Sequence, residues 1–253
     1  MTIKFKLKDV DKKPNWIAPW FGFIFYEPVS EFLTWVTANF TNLTPNQITY
    51  ISFLTGLASA YCFLQGTYFY IIVGCIIFLF SYLLDWVDGR LARLKKVESN
   101  FGGYIDSMLD QFKFFIIVMF LVQGQYMIHK DILFFWFGSI FILLHLTHWI
   151  NEYEINTVRS RFIKKGFVPN ASIGNNKLHT IHKIKLYFDS RRISIMPTFV
   201  ESDTVAFFIF PLLMQIKIGL IIASVILVLD ILAKAVYFFA FTLPEMKNNT
   251  SNA

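Results

Sequence analysis

The sequence predicts an all-α integral membrane protein, built as a bundle of six transmembrane helices with an N-terminal amphipathic helix in the membrane interface. The first observation is composition: 55% of the 253 residues are hydrophobic and 30 are Phe, which is typical of membrane proteins rather than soluble domains. The second is a series of apolar runs of about 20 residues, the length that spans a bilayer. The third is the unequal distribution of Lys and Arg among the segments between these runs.

Residues 1–45 are predicted to form an N-terminal region at the cytoplasmic surface of the membrane. Within this region, segment 28–40 spaces apolar residues among polar ones, a pattern that favours a helix lying in the interface. The apolar positions are Phe32, Leu33, Trp35 and Val36. Pro45 breaks this helix and begins the next one at its N1 position, with Thr44 as the N-cap.

The six predicted spans follow as one domain, residues 46–243. They lie near 47–65, 68–87, 104–127, 132–152, 204–217 and 218–241. The fifth is the weakest, because it is short and three residues separate its apolar part from the sixth. Residues 244–253 have the composition of a disordered tail.

The distribution of positive charge predicts the orientation. Lys and Arg concentrate in the N-terminal region, in the loop after the second span and in the 153–203 connection, whereas the opposite turns carry only Lys130 and Lys217. The positive-inside rule therefore places both termini and the loop after the second span in the cytoplasm. We interpret the basic 153–203 connection as a surface for anionic lipid headgroups, with a specific anion site as the alternative. The net charge of +6 has the same explanation, so no nucleic acid partner is predicted.

Two pairs of aspartates flank the loop between the second and third spans. Asp85 and Asp88 are three residues apart, and Asp106 and Asp110 are four apart, so each pair shares one face of a helix. Four carboxylates at the end of an apolar bundle repel one another unless a cation lies between them. Oxygen ligands alone suit Mg²⁺, Mn²⁺ or Ca²⁺ rather than zinc. The sequence therefore predicts a divalent metal site here.

Small residues and one arginine complete this motif. Ala92 leaves space above the first carboxylate pair, and Gly89 and Gly102 allow a backbone or a substrate to approach closely. Arg93 lies one turn beyond Gly89, where its guanidinium can bind a phosphate.

The whole pattern reads D-x-x-D-G-x-x-A-R, eight residues, then G-x-x-x-D-x-x-x-D. It resembles, without gaps or substitutions, the signature of the CDP-alcohol phosphatidyltransferase family, and TPNQIT at 44–49 resembles the entry to that family's first span. The resemblance implies a membrane enzyme of phospholipid biosynthesis that transfers a substituted phosphate group to an alcohol hydroxyl and releases CMP. It implies a CDP-linked donor, either CDP-diacylglycerol or a CDP-activated headgroup, and a need for Mg²⁺ or Mn²⁺.

The resemblance also implies a role for each residue of the motif. The metal ligands are Asp85, Asp88, Asp106 and Asp110, of which Asp106 and Asp110 are the catalytic pair and Asp110 the general base. The nucleotide-binding residues are Asp85, Asp88, Gly89, Ala92, Arg93, Gly102, Asn46 and Thr49. Members with phosphorylated acceptors often carry Arg or Lys directly after the last motif Asp, where this chain has Gln111. The candidate acceptor ligands are therefore Lys113, Arg159 and Arg161. The implied partners are the CDP-linked substrate, the alcohol acceptor and membrane lipid, and a homodimer is left open.

Two other functions fit parts of the pattern. A polyprenyl transferase also uses two Asp-rich motifs with Mg²⁺, but its motifs lie in separate halves of a larger bundle. A non-catalytic transporter could place the carboxylates on an ion path, although no pair of broken half-helices accompanies them here.

Other polar residues within the spans have simpler interpretations. Asp230 and Lys234 are four residues apart and are predicted to pair with each other inside the bundle. His145 and His148, near the cytoplasmic end of the fourth span, are interpreted as polar packing, with substrate contact as the alternative.

Overall fold

The computed structural model describes residues 4–10, 18–164, 187–188, 190–192, 194 and 196–239. Every regular element in these ranges is helical, which confirms the all-α prediction. The helices are α1 (Leu7–Val10), α2 (Glu27–Phe40), α3 (Pro45–Gln65), α4 (Tyr68–Lys95), α5 (Asn100–His129), α6 (Leu133–Lys164), α7 (Phe199–Thr204), α8 (Phe210–Leu212) and α9 (Ile216–Tyr237). One π-helical turn, Gly22–Tyr26, leads into α2, and another, Val205–Ile209, joins α7 to α8.

Four of the described helices are long and apolar enough to cross a membrane. They are α3, α4, α6 as far as Arg161, and α9, as expected for an integral membrane protein. The third and fifth predicted spans correspond to α5 and to the α7–α8 segment, which are not among these four. The count of six spans, the domain boundaries and the orientation in the membrane stay predictions.

The N-terminal region contains the expected helix, α2, which contacts α4. Its Asn39 side chain accepts hydrogen bonds from the backbone N–H groups of Lys4 and Phe5, at 2.8 and 3.0 Å. The indole of Trp35 donates to the Phe5 carbonyl at 3.0 Å. These contacts hold the preceding segment against α2, whereas the position of α2 in the membrane interface stays a prediction. The 244–253 tail lies outside the described residues, as do residues 165–186, 189, 193 and 195 of the 153–203 connection.

The first long helix, α3, begins as its sequence indicates. Thr44 is its N-cap, with the Thr44 hydroxyl accepting from the Gln47 backbone N–H and the Gln47 side chain accepting from the Thr44 N–H. Pro45 occupies the first turn, where no N–H is needed. This reciprocal capping fixes the point at which the chain enters the bundle.

The α4–α5 hairpin brings the two halves of the motif together. Lys96 ends α4 in the left-handed conformation, with φ 54°. The Ser99 hydroxyl then caps α5 by accepting from the Gly102 N–H at 2.9 Å. The connection between α4 and α5 is therefore short, and both helices pack against α3.

Small residues let α3 pack closely against α4 and α5. The Ser52 hydroxyl donates to the Ser81 carbonyl at 2.9 Å, and the Ser81 hydroxyl donates to the Ser52 carbonyl at 2.7 Å. At the other end of α3, a Cβ on Gly124 of α5 would overlap the Phe63 carbonyl oxygen. Glycine is therefore required where these two helix backbones meet.

Candidate active site

Three carboxylates converge from the two helices of the hairpin. Asp85 and Asp88 of α4 and Asp106 of α5 each offer an oxygen, and these oxygens all lie within 4.8 Å of one another. Asp88 is 4% exposed. Asp106 Oδ1 is also buried, and it has no hydrogen-bond partner among the described residues. This donor set, with one buried oxygen left unpaired, fits a hard divalent cation.

A buried lysine links the fourth motif aspartate to this cluster. The Lys113 ammonium lies 2.8 Å from Asp110 Oδ1 and 3.0 Å from Asp85 Oδ1, and it donates to the Ser52 hydroxyl at 3.2 Å. Its stem passes over Gly56 of α3, where an added Cβ would lie 2.6 Å from Lys113 Cγ and Cδ. The residue expected among the acceptor ligands thus has its charge directed at two motif carboxylates.

The first turn of α3 contributes the two predicted residues that precede the motif. The Thr49 hydroxyl donates to Asp88 Oδ2 at 2.5 Å, so it orients the most buried carboxylate of the cluster. Asn46 lies beside the start of α5: a Cβ added to Gly102 would lie 3.3 Å from Asn46 Oδ1. Asn46 and Thr49 therefore meet both halves of the motif.

Arg93 folds back along α4 over Gly89, where an added Cβ would lie 3.5 Å from its Nη1. Ala92 lies beside it on α4 and is half-buried. Arg90, in contrast, is buried and lies 3.6 Å from the Glu27 carboxylate at the start of α2. Sequence reasoning missed Arg90, since its position inside the motif does not indicate that it points towards another helix.

Asp85 and Asp110 border a cavity of about 920 Å³ between α4, α5, α6, α7 and α9. Part of its wall is apolar and includes Phe78, Phe114, Ile117 and Phe207. Arg159 and Arg161 are both exposed, but Arg159 is among the described residues of the lining and Arg161 is not. The two arginines that the sequence grouped together therefore have different surroundings.

A second set of polar side chains lies in the cavity wall between α6 and α9. The predicted Asp230–Lys234 pair is present at 2.8 Å. His148 Nε2 lies 2.7 Å from Asp230, and Lys234 also reaches Glu152 at 2.5 Å. His148 is thus hydrogen-bonded as polar packing requires, and it joins the two helices.

His145 has different surroundings. Its ring is stacked on Phe114, with ring centroids 3.6 Å apart. The Asp203 carboxylate lies 3.6 Å from His145 Nε2. Neither ring nitrogen has a hydrogen-bond partner in the described part of the chain.

The chain belongs to the CDP-alcohol phosphatidyltransferase family, because the sequence model of that family matches residues 42–234. The match begins just before α3 and ends at Lys234, so it includes the whole motif and most of the described residues that line the cavity.

Two curated relatives share parts of this region. The chain is 34% identical over 122 residues to the bifunctional IPC transferase and DIPP synthase of Archaeoglobus fulgidus, a match that covers 48% of this chain and 24% of that protein. It is 43% identical over 70 residues to the archaetidylinositol phosphate synthase of Pyrococcus horikoshii, covering 27% of this chain and 35% of that protein. The matches thus span about a quarter to a third of the length of these relatives.

Among solved structures, the chain is similar to phosphatidylinositol phosphate synthase of Mycobacterium tuberculosis. With the structure that has CDP-DAG bound, the TM-score is 0.43 at 17% identity, over 83% of this chain and 92% of the other. With the manganese and citrate complex, the TM-score is 0.39 at 18% identity, over 83% and 88% of the two chains.

Proposed function

We propose that the protein is a membrane enzyme of phospholipid biosynthesis that transfers a substituted phosphate group from a CDP-linked donor to an alcohol hydroxyl and releases CMP. One observation carries the proposal: Asp85, Asp88 and Asp106 converge within 4.8 Å in a chain that belongs to this family. CDP-diacylglycerol and a CDP-activated headgroup are the two donor classes to be compared.

Asp85, Asp88 and Asp106 would hold a divalent cation, Mg²⁺ or Mn²⁺, with Asp110 as a fourth oxygen donor beside them. When bound, such a cation neutralises charge on a pyrophosphate and on the departing CMP. Thr49 has a supporting role, because its hydroxyl donates to Asp88 Oδ2 and so fixes the orientation of that carboxylate.

The donor nucleotide is assigned to the same face of the hairpin. Arg93 can offer its guanidinium to a donor phosphate above Gly89. Gly102 and Asn46 meet at the start of α5, and the lack of a side chain on Gly102 keeps that approach open. Loss of Arg93 is therefore expected to weaken donor binding and also to lower turnover.

The acceptor is assigned to the cavity. Asp110 borders it, and the Asp110 side chain is 33% exposed, so a hydroxyl entering from the cavity can reach this carboxylate. We assign Asp110 as the general base that takes the hydroxyl proton. Lys113 and Lys234 also line the cavity but are paired with carboxylates, so we assign Arg159 as the cation that could meet an acceptor phosphate. Because the relatives named for inositol lipids match only parts of this chain, the acceptor is proposed as an alcohol without further identity.

The active site is assigned to the cytoplasmic side, with both termini inside. The support for this is the concentration of Lys and Arg in the N-terminal region, around the end of α4 and in the 153–203 connection.

Asp88→Asn tests the proposal. This change keeps the size of the side chain and removes a buried negative charge from the cluster. CMP release from CDP-linked donors by the purified full-length protein in detergent with Mg²⁺ should fall by about 100-fold or more. Asp131→Asn, in the turn between α5 and α6, is the matched control and should leave the rate unchanged.

Two results would contradict the proposal. One is wild-type turnover by Asp88→Asn at ordinary Mg²⁺ concentrations. The other is a wild-type protein that releases no CMP from either donor class. Release of pyrophosphate from a prenyl diphosphate would instead favour a polyprenyl transferase, and cation uptake into vesicles without chemistry would favour a transporter.

A further inference from the structure

His145 of α6 and Asp203 of α7 are buried polar side chains with unsatisfied atoms that line the cavity. Each residue is 6% exposed. Both ring nitrogens of His145 and Oδ1 of Asp203 are without a hydrogen-bond partner in the described part of the chain. His145 Nε2 and Asp203 Oδ1 face each other at 3.6 Å, which is too long for a hydrogen bond. Buried polar atoms of folded proteins are nearly always paired, so these three atoms indicate a missing ligand.

His148, three residues further along α6, shows what a packing histidine looks like in this bundle. It borders the same cavity and is 3% exposed, but its Nε2 lies 2.7 Å from the Asp230 carboxylate. The unpaired state of His145 is therefore a property of its own position and not of α6 as a whole.

Aromatic contacts hold the His145 ring without using its nitrogens. The ring lies 3.6 Å from that of Phe114 and nearly parallel to it, at 17°. The ring of Phe199 meets it edge-on, at 6.3 Å and 89°. The ring plane is thus fixed before any ligand binds, and the nitrogens remain available at the ring edge.

Phe114 also sets the distance from His145 to the reacting end of the cavity. Phe114 follows Asp110 by four residues on α5, so the two share one face of the helix and are separated by one turn, about 6 Å. Since His145 is stacked on Phe114, it lies about one turn deeper in the cavity than the proposed general base.

The chemistry of the two side chains selects the class of ligand. A neutral imidazole offers one donor and one acceptor, and the Asp203 carboxylate offers an acceptor. A hydroxyl can accept from the imidazole N–H and donate to the carboxylate at the same time. A phosphate would have to face the carboxylate, and like charges at close range repel.

We infer that His145 and Asp203 form a subsite for a second hydroxyl of the acceptor alcohol, one helical turn deeper than Asp110. The inference rests on the proposed function and makes it more specific: the acceptor is a polyol whose reacting hydroxyl meets Asp110 while another hydroxyl bridges His145 and Asp203. Any acceptor phosphate lies elsewhere, towards Arg159.

The test is steady-state CMP release by the purified full-length protein, with acceptor and donor varied in turn. The acceptor probes are glycerol, inositol, their monophosphates, and a deoxy analogue of whichever the wild type uses. His145→Phe keeps the aromatic stack and removes both nitrogens, and Asp203→Asn keeps the shape and removes the charge. Each should raise the acceptor KM about tenfold or more while the donor KM stays unchanged. His129→Phe, at the exposed end of α5, is the matched control.

The deoxy analogue distinguishes the loss of a contact with the acceptor hydroxyl from a structural effect of the substitution. In the wild type, loss of the second hydroxyl should raise the acceptor KM about as much as His145→Phe does. In the His145→Phe variant, replacing the acceptor by the deoxy analogue should raise the KM little further. The subsite is overturned if both variants are active and their acceptor KM is unchanged. It is also overturned if the deoxy analogue raises the acceptor KM by the same factor in the variant as in the wild type. A wild type that releases no CMP overturns the proposed function itself, so the two failures are distinct. If His145→Phe does not fold, Asp203→Asn alone decides.

Discussion

The Lys113 ammonium is the internal counter-charge of the motif, and its removal has an effect that can be worked out from its contacts. Lys113→Met keeps the length of the stem that passes over Gly56 but leaves Asp85 and Asp110 without their shared cation. Removing one partner of a buried ion pair costs about 3–5 kcal/mol. Because the two aspartate side chains are 22% and 33% exposed, the low end, about 3 kcal/mol, applies.

This cost converts to a measurable change in thermal stability. For a chain of this size, 1 kcal/mol shifts the unfolding midpoint by about 2–4 °C, so Lys113→Met should unfold about 6–12 °C below the wild type in detergent with EDTA. Saturating Mg²⁺ should raise the midpoint of the variant more than that of the wild type, since a bound cation replaces the missing charge. Tryptophan fluorescence during heating measures both effects.

Lys217→Met is the matched control, because it also removes a lysine paired with an aspartate. Its partner, Asp131, lies in the exposed turn between α5 and α6, where the hydrogen bond from Lys217 lowers the pKa of the carboxyl. The side chains of Lys217 and Asp131 are 34% and 30% exposed, whereas that of Lys113 is 9% exposed. Water can therefore hydrate the carboxylate that Lys217→Met leaves, so this variant should unfold close to the wild type. If Lys113→Met unfolds like the control in EDTA, or if Mg²⁺ stabilises it no more than the wild type, the counter-charge reasoning is wrong.

Further expected outcomes concern the metal site, the acceptor and the topology. Thr49→Val removes the hydroxyl that orients the buried carboxylate of α4, and should raise the Mg²⁺ concentration for half-maximal CMP release by about 10–100-fold; an unchanged Mg²⁺ dependence contradicts its role. Arg159→Ala should raise the KM of a phosphorylated acceptor in neutral detergent and Arg161→Ala should not, because of these two residues only Arg159 lines the cavity. Equal acceptor KM values in the two variants would show that Arg159 has no separate role. With both native cysteines replaced, Glu98→Cys should be shielded from an impermeant thiol reagent in intact cells and His129→Cys labelled; the reverse pattern would invert the orientation.

The convergence of the motif could be predicted from the sequence because it depends on local helix geometry. Spacings of three and four residues place each aspartate pair on one helix face, and one short connection joins the two helices. Their common packing against α3 completes the arrangement. The role of Lys113 could not be predicted in this way. Its direction depends on the space above Gly56, which belongs to a third helix, and residue spacing along α5 contains no information about that space.

The limits of the long helices show a related difference between hydropathy and structure. The apolar run that predicts a span over 68–87 ends where charged residues begin, but α4 continues to Lys95. Charged residues with good helix propensity continue the helix past the apolar layer, so hydropathy locates the apolar segment and not the helix end. For the predicted fifth span, 204–217, the helix ends at Leu212 and a new one starts at Ile216, so this apolar run contains a turn.

The meeting of α5 with the end of α3 has a consequence for inherited variation. Gly124 touches the backbone of α3 14 residues after Asp110, about 21 Å along the helix axis. The same helix carries Asp106 and Asp110 of the proposed cation site and Phe114, which is stacked on His145, so the orientation of this helix determines the positions of all three side chains. A bulkier residue at Gly124 would tilt or rotate α5 and so move Asp106, Asp110 and Phe114 together. A protein with such a substitution would bind the metal ion poorly, although each of the proposed ligands is unchanged.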